Sequence, residues 1–197
     1  MHKIVILCVF SYVLGSVPFS YLIAKWIGGI DIRKTWDGNI GATNVYRVAG
    51  KKAGIAAFLC DVAKGALPVL AAVFVLRLPE YACVLTGLCS IIGHNWPLFL
   101  GFRGGKGLST TIGVIGALVP AEGAILLIPF FILYQVFKHG TFAIMLVGPF
   151  LPVVCFLKGM SGWIIWGTIL IFVFVYLGAV GNFAKIWNEV KTKGRSC

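Results

Sequence analysis

The chain has 197 residues, of which 59% are hydrophobic and 12% charged, with a mean hydropathy of +0.97. Soluble domains carry about 45–50% apolar and about 25% charged residues. A water-soluble globule is therefore excluded, because a chain of this length cannot hide so much apolar surface. The net charge of +11 comes with no nucleic-acid-binding motif and is read as basic loops facing anionic lipid headgroups.

Residues 4–27 form the first apolar run. The MHK start resembles a signal peptide, but no small-x-small cleavage site follows and the run continues through Pro18 to Lys25, so it is read as an uncleaved span. A polar, glycine-rich segment covers 28–53. The next spans are 55–76, interrupted by Asp61 and Lys64, and 81–100. The loop GFRGGKG fills 101–107. Two shorter apolar runs, 110–119 and 124–137, are broken at PAEG, and 142–157 and 163–180 complete the set. The expectation is an all-α integral membrane protein of seven transmembrane helices, forming one domain over residues 1–197. An alternative reading joins the two short runs into one tilted or re-entrant element.

Basic residues set the orientation. With the amino terminus outside and seven crossings, 13 of the 17 lysines and arginines fall inside, and Lys3, Arg77 and Lys158 fall outside. Lys64 lies within a span. The asymmetry favours an outside amino terminus and a cytoplasmic carboxyl terminus.

The polar residues cluster on that inner side. The first loop reads DGNIGATNVYR over 37–47. Its Gly38 and Gly41 let backbone N–H groups approach an anion, Asn39, Thr43 and Asn44 add donors, and Arg47 adds a fork that fits phosphate. A tight loop with a topogenic arginine is the alternative. In the second loop Gly104, Gly105 and Gly107 surround Lys106, and hydroxyls follow as a helix opens. That arrangement suits phosphate, by flexible backbone amides, a point charge and a helix amino terminus, although the Walker spacing is absent; an ordinary positive-inside turn is the alternative. His94 near a span end reads as structural. Asp61 and Lys64, three apart, share a helix face, where they neutralise each other and support a polar site. Five of the six cysteines sit in apolar stretches as small buried residues. There is no His-x-x-x-x-Asp pair, no G-x-S-x-G elbow and no metal-ligand cluster. No dedicated nucleophile or base is apparent, and neither a metal nor a cofactor is expected.

The segments GNIGATNVYR, Asp61-x-x-Lys64-Gly65 and GHNWPLFLGFRGGKG together resemble the bacterial acyl-phosphate-dependent glycerol-3-phosphate acyltransferases, over about residues 15–188. The resemblance implies transfer of a fatty acyl group from acyl phosphate to the 1-hydroxyl of glycerol 3-phosphate, giving lysophosphatidic acid and phosphate, the first acylation of phospholipid synthesis. It implies catalysis by positioning and charge stabilisation. Arg47, Lys106 and Asn182 would bind phosphate groups. Asp37, Gly38, Asn39, Gly41, Thr43, Asn44, Gly104, Gly105, Gly107 and Thr141 would shape the substrate pocket, with Asp61, Lys64 and His94 in support. The implied partners are the two substrates, membrane lipid and the enzyme that makes acyl phosphate. Two segments depart from the family pattern. Trp36-Asp37-Gly38-Asn39 stands where the family reads Gly-Ser-Gly-Asn, and the His and Arg that precede the last Asn are missing before Asn182. A divergent paralogue, using another phosphorylated acceptor or binding without turnover, is therefore the alternative. A small anion transporter is weaker still, since no repeated halves occur.

Overall fold

The computed structural model describes residues 1–36, 38–180 and 187. It is all-helical among those residues. Six helices are long and apolar enough to cross a membrane: His2–Gly28, Lys51–Val75, Glu80–Leu100, Pro120–Phe137, Gly140–Leu157 and Gly162–Val180. A shorter apolar helix spans Leu108–Leu118. At about 1.5 Å per residue that helix is about 16 Å long, roughly half a hydrocarbon core.

Several of these runs are broken where the sequence dictates. The first divides into α1 (His2–Ser16) and α2 (Phe19–Gly28), a break that the continuous reading of 4–27 did not anticipate. Pro18 has no N–H to give and disfavours a helical Val17, which is extended here. After a 3-10 turn at Ile32–Lys34 comes α3 (Ala42–Ala49), and Gly50, with φ +89, turns the chain into α4 (Lys51–Leu70). Pro68 inside α4 cannot donate to the Lys64 carbonyl one turn earlier. Ser90 Oγ, from α5 (Glu80–Asn95), donates to that carbonyl at 3.1 Å, so the backbone stays satisfied where no water is available.

A 3-10 turn at Leu98–Leu100 and the second glycine loop lead to α6 (Leu108–Leu118). The break expected at residues 120–123 lies at Val119 instead, because Pro120 opens α7 (Pro120–Ile125), where its missing N–H costs nothing. Then follow α8 (Leu127–Phe137), α9 (Gly140–Val147), α10 (Phe150–Leu157) and α11 (Gly162–Val180).

The helices approach through small residues, as lipid-embedded packing requires. A Cβ on Gly113 would lie 2.1 Å from the Val62 carbonyl oxygen, and one on Gly15 would lie 2.4 Å from that of Ser90. The largest apolar core joins α4, α5, α6, α10 and α11 around Ile91, Val114, Leu151 and Ile171. A second cluster, of Ala24, Ile32, Ile40, Val45 and Ala57, seats the first loop on α2 and α4.

Two ends of the bundle are defined by their contacts. At one end Lys158 pairs with Glu122 at 3.0 Å, Ser161 bonds Glu80, and Tyr81 packs on Trp163 at 5.6 Å. At the other end the loops before α3, α6 and α9 meet around one polar cavity.

Candidate active site

That cavity, about 110 Å³, has three walls. Trp36, Asn39, Thr43 and Arg47 come from the first loop and α3, and Lys106 from the second loop. Tyr134, Lys138, His139 and Thr141 come from the end of α8 and the start of α9. Asn39, Thr43, Arg47, Lys106 and Thr141, all proposed from sequence, are thus brought together.

Helix direction explains the cavity's character. Thr43 lies in the first turn of α3, Lys106 directly precedes the cap of α6, and Thr141 lies in the first turn of α9. Three helix amino-terminal ends therefore meet at one cavity, each contributing the partial positive charge of its helix dipole. Arg47, Lys106 and Lys138 add three cations, and no carboxylate among the described residues lines the space. Asp37 and Asn182 lie outside the described residues.

The first loop is held rigidly. Asn44 is fully buried, and its amide donates to the carbonyls of Ile32 and Asn39, each at 3.0 Å. Asn44 thus shapes the pocket from beneath, and its donors serve the loop rather than the cavity. Gly38, at φ +71, returns its N–H to the Thr35 carbonyl at 2.8 Å, and Gly41 precedes α3 as its cap. Upstream, Asp31 accepts from the Arg33 backbone and guanidinium. Arg33 holds the Asp31 carboxyl down at about 2. Its pairing is in place above the ordinary carboxylate range and is lost only as pH falls through about 2.

The second loop folds over the end of α5. The N–H groups of Gly104 and Gly105 bond the carbonyls of Asn95 and His94 at 3.1 and 3.2 Å. Those two amides, read from sequence as anion donors, instead fix the loop. Gly107, at φ +75, caps α6 beside the Asn95 side chain. The Asn95 amide donates to the Phe174 carbonyl of α11, tying the last helix to this loop.

Asp61, Lys64 and His94 are buried away from the anion cavity, around a separate small space rimmed by Gly104 and Gly105. Lys64 Nζ lies 2.9 Å from Asp61 Oδ1 and donates to the Val17 carbonyl at 2.9 Å. Ser20 Oγ donates to Asp61 Oδ2 at 2.7 Å, and His94 Nδ1 lies 3.7 Å from Asp61 Oδ1. The pair on α4 thereby clasps both sides of the α1–α2 break.

Sequence reasoning passed over Trp36, Lys138 and His139 as wall residues. His139 and Lys138 lie two and three residues before the proposed Thr141, and that closeness was the available signal. His139 Nδ1 accepts the Phe142 N–H at 3.2 Å, capping α9. The neutral ring therefore carries its proton on Nε2 and acts as a hydrogen-bond donor.

A second cavity, about 210 Å³ and apolar, is walled mainly by α6, α7 and α8, with Ile144, Leu151 and Phe172 from α9, α10 and α11. Ile112 on α6 lies six residues after Lys106, and Ile144 on α9 lies three residues after Thr141, so both helices that border the polar cavity also line this one.

Comparison with known proteins agrees with this architecture. The family described as glycerol-3-phosphate acyltransferase matches residues 5–189. Proteins named glycerol-3-phosphate acyltransferase match from Shouchella clausii (54% identity over 112 residues, 56% of this chain and 54% of that protein) and from Clostridioides difficile (42% over 139 residues, 68% of each). Glycerol-3-phosphate acyltransferase 4 of Dehalococcoides mccartyi is 45% identical over 117 residues, 59% of this chain. The chain spans about half to two thirds of the length of the curated relatives it matches. Among solved structures, the crystal structure of PlsY (YgiH), an integral membrane glycerol 3-phosphate acyltransferase, in its glycerol 3-phosphate form, superposes with a TM-score of 0.87 at 31% identity. It covers 94% of this chain and 92% of that one. The lysophosphatidic acid form gives 0.82 at 30% identity, with the same coverage.

Proposed function

The chain belongs to the glycerol-3-phosphate acyltransferase family, and on that premise we propose that it transfers a fatty acyl group from acyl phosphate to the 1-hydroxyl of glycerol 3-phosphate, releasing lysophosphatidic acid and inorganic phosphate. The observation that carries this reading is the meeting of three helix amino-terminal ends and three cations at one small cavity. Both proposed substrates carry phosphate, and that environment recognises phosphate.

Arg47 offers a planar fork and Lys106 a compact charge. Asn39, Thr43 and Thr141 add neutral donors, and Asn182 is assigned to the same phosphates. The glycerol hydroxyl oxygen attacks the acyl carbonyl carbon, the carbonyl–phosphate C–O bond breaks, and phosphate leaves with the electron pair. The hydroxyl proton passes to a phosphate oxygen, so the protein needs no strong base of its own. His139, held as a donor by its cap on α9, fits the stabilisation of negative charge rather than proton removal. The acyl chain occupies the apolar cavity below, where Ile112 and Ile144 bring its walls close to the polar site.

The single domain is proposed to cross the inner membrane seven times, with the amino terminus outside and the site cytoplasmic, drawing on the enzyme that makes acyl phosphate. The basic-residue distribution supports this orientation. The placement of Lys106 and Lys138 at one end, and of Glu122 and Lys158 at the other, supports a crossing by α6 despite its shortness.

The test is phosphate release by purified protein given palmitoyl phosphate, with and without glycerol 3-phosphate. Release dependent on glycerol 3-phosphate, with lysophosphatidic acid formed, is expected. Arg47→Ala and Lys106→Ala are each expected to lower kcat/KM by about 100-fold or more without lowering the melting temperature. No release from folded protein refutes the activity and leaves the binding paralogue. Normal turnover by either variant removes the cavity from the reaction.

A further inference from the structure

Trp36 stands at the cavity rim with φ +42, in the left-handed region that a bulky side chain rarely adopts. The turn that carries it is closed on both sides. Gly38 N–H reaches the Thr35 carbonyl at 2.8 Å, and Thr35 Oγ1 donates to the Ile32 carbonyl at 3.1 Å. Ile32 itself is fully buried in the cluster that seats the loop on α2 and α4. The strain at Trp36 is therefore held in place by its surroundings, a condition that backbone strain at functional sites shares.

The indole holds something specific. The Arg47 guanidinium lies over the Trp36 ring, 3.4 Å from its centroid. A guanidinium flat against an aromatic face keeps its N–H donors in the ring's parallel plane, so they project edgewise. One face of the cation is shielded from water, and a long side chain with many rotamers is restricted before any anion arrives. Both residues line the same cavity.

We infer that Trp36 is a positioning residue, which stacks on Arg47 to preset the guanidinium edge for the phosphate of the incoming glycerol 3-phosphate. This rests on the function proposed above. A group that presets binding acts on ground-state affinity, so its removal raises KM and leaves kcat nearly unchanged. A merely structural Trp36 predicts the opposite. Replacing it with glycine relieves an unfavourable φ, so the melting temperature of Trp36→Gly should hold or rise.

Trp36→Gly and Trp36→Phe are compared with the unaltered protein for the KM and kcat of glycerol 3-phosphate, the melting temperature, and direct calorimetric binding of glycerol 3-phosphate. Trp36→Gly is expected to raise KM and Kd about tenfold with kcat within about twofold, and Trp36→Phe, which keeps an aromatic face, to restore most of the affinity. Unchanged or tighter binding by Trp36→Gly overturns the inference, as does a loss of affinity that Trp36→Phe fails to restore. Absence of turnover in the unaltered protein would sink the proposed activity instead, and calorimetry would still test Trp36 by the binding constant alone.

Discussion

Gly105 separates two meanings that a glycine in a phosphate-like loop can carry. The sequence suggests that its backbone N–H faces an anion, but that N–H bonds the His94 carbonyl at 3.2 Å. What Gly105 provides is the absence of a Cβ, which would lie 2.2 Å from His94 Nε2 and 2.7 Å from the Ile40 carbonyl oxygen. The second loop can therefore lie against both His94 and the first loop, and Lys106, the next residue, reaches the cavity. Gly105→Ala is expected to displace this loop and lower kcat/KM by about 100-fold, since misplacement of about 1 Å costs that much. Gly162, with no atom within 4 Å of an added Cβ, provides the control, and Gly162→Ala should retain full activity in the same phosphate-release assay. Near-normal activity in Gly105→Ala would show that the loop tolerates the displacement. At this scale Arg47 and Lys106 stood out in the sequence by charge and by their glycine-rich surroundings, and Thr141 only through the family resemblance. Trp36 was not, because its contribution depends on a backbone angle and a ring contact that no local pattern encodes.

Helix α4 shows how an element can be half legible. The three-residue spacing of Asp61 and Lys64 places them on one face, and an apolar span forces them to pair. The third partner is hidden in another element: the break at Pro18 exposes the Val17 carbonyl, and Lys64 takes it at 2.9 Å while Ser20 bonds Asp61 from the far side of the break. A proline within an apolar run does not say what will cap the opened backbone. Because both charges are buried, removing one strands the other. Lys64→Met or Asp61→Leu alone is expected to cost about 3–5 kcal/mol of unfolding free energy in detergent, and the double variant less than either single change. Denaturant unfolding of the three variants gives the coupling directly. Additive losses would mean that the two charges act independently and do not clasp the α1–α2 break as a pair.

Across the whole molecule, the length of the apolar runs located the spans but gave little about how they face one another. In lipid a helix is apolar on every side, so the stripe that reveals a buried face in a soluble bundle is missing. Helix α8 illustrates this: Ile128, Phe131, Ile132 and Val136 are 57–70% exposed, as a lipid-facing surface should be. Charge carries the orientation instead. The site end holds Arg47, Lys106 and Lys138, and the opposite end joins Glu80 to Ser161 and Glu122 to Lys158. Lys52, at the start of α4, and Gly162, at the start of α11, are both exposed and belong to opposite ends. In a cysteine-free background, Gly162→Cys is expected to react with a membrane-impermeant maleimide on intact cells, and Lys52→Cys only after permeabilisation. Reversed labelling would place the anion cavity outside, where a cytoplasmic acyl phosphate could not reach it, and the proposed donor would fail with the orientation. Labelling of both from one side would mean that α4 and α11 do not begin at opposite faces, and the seven-crossing path would fall while the cavity and its cations remained.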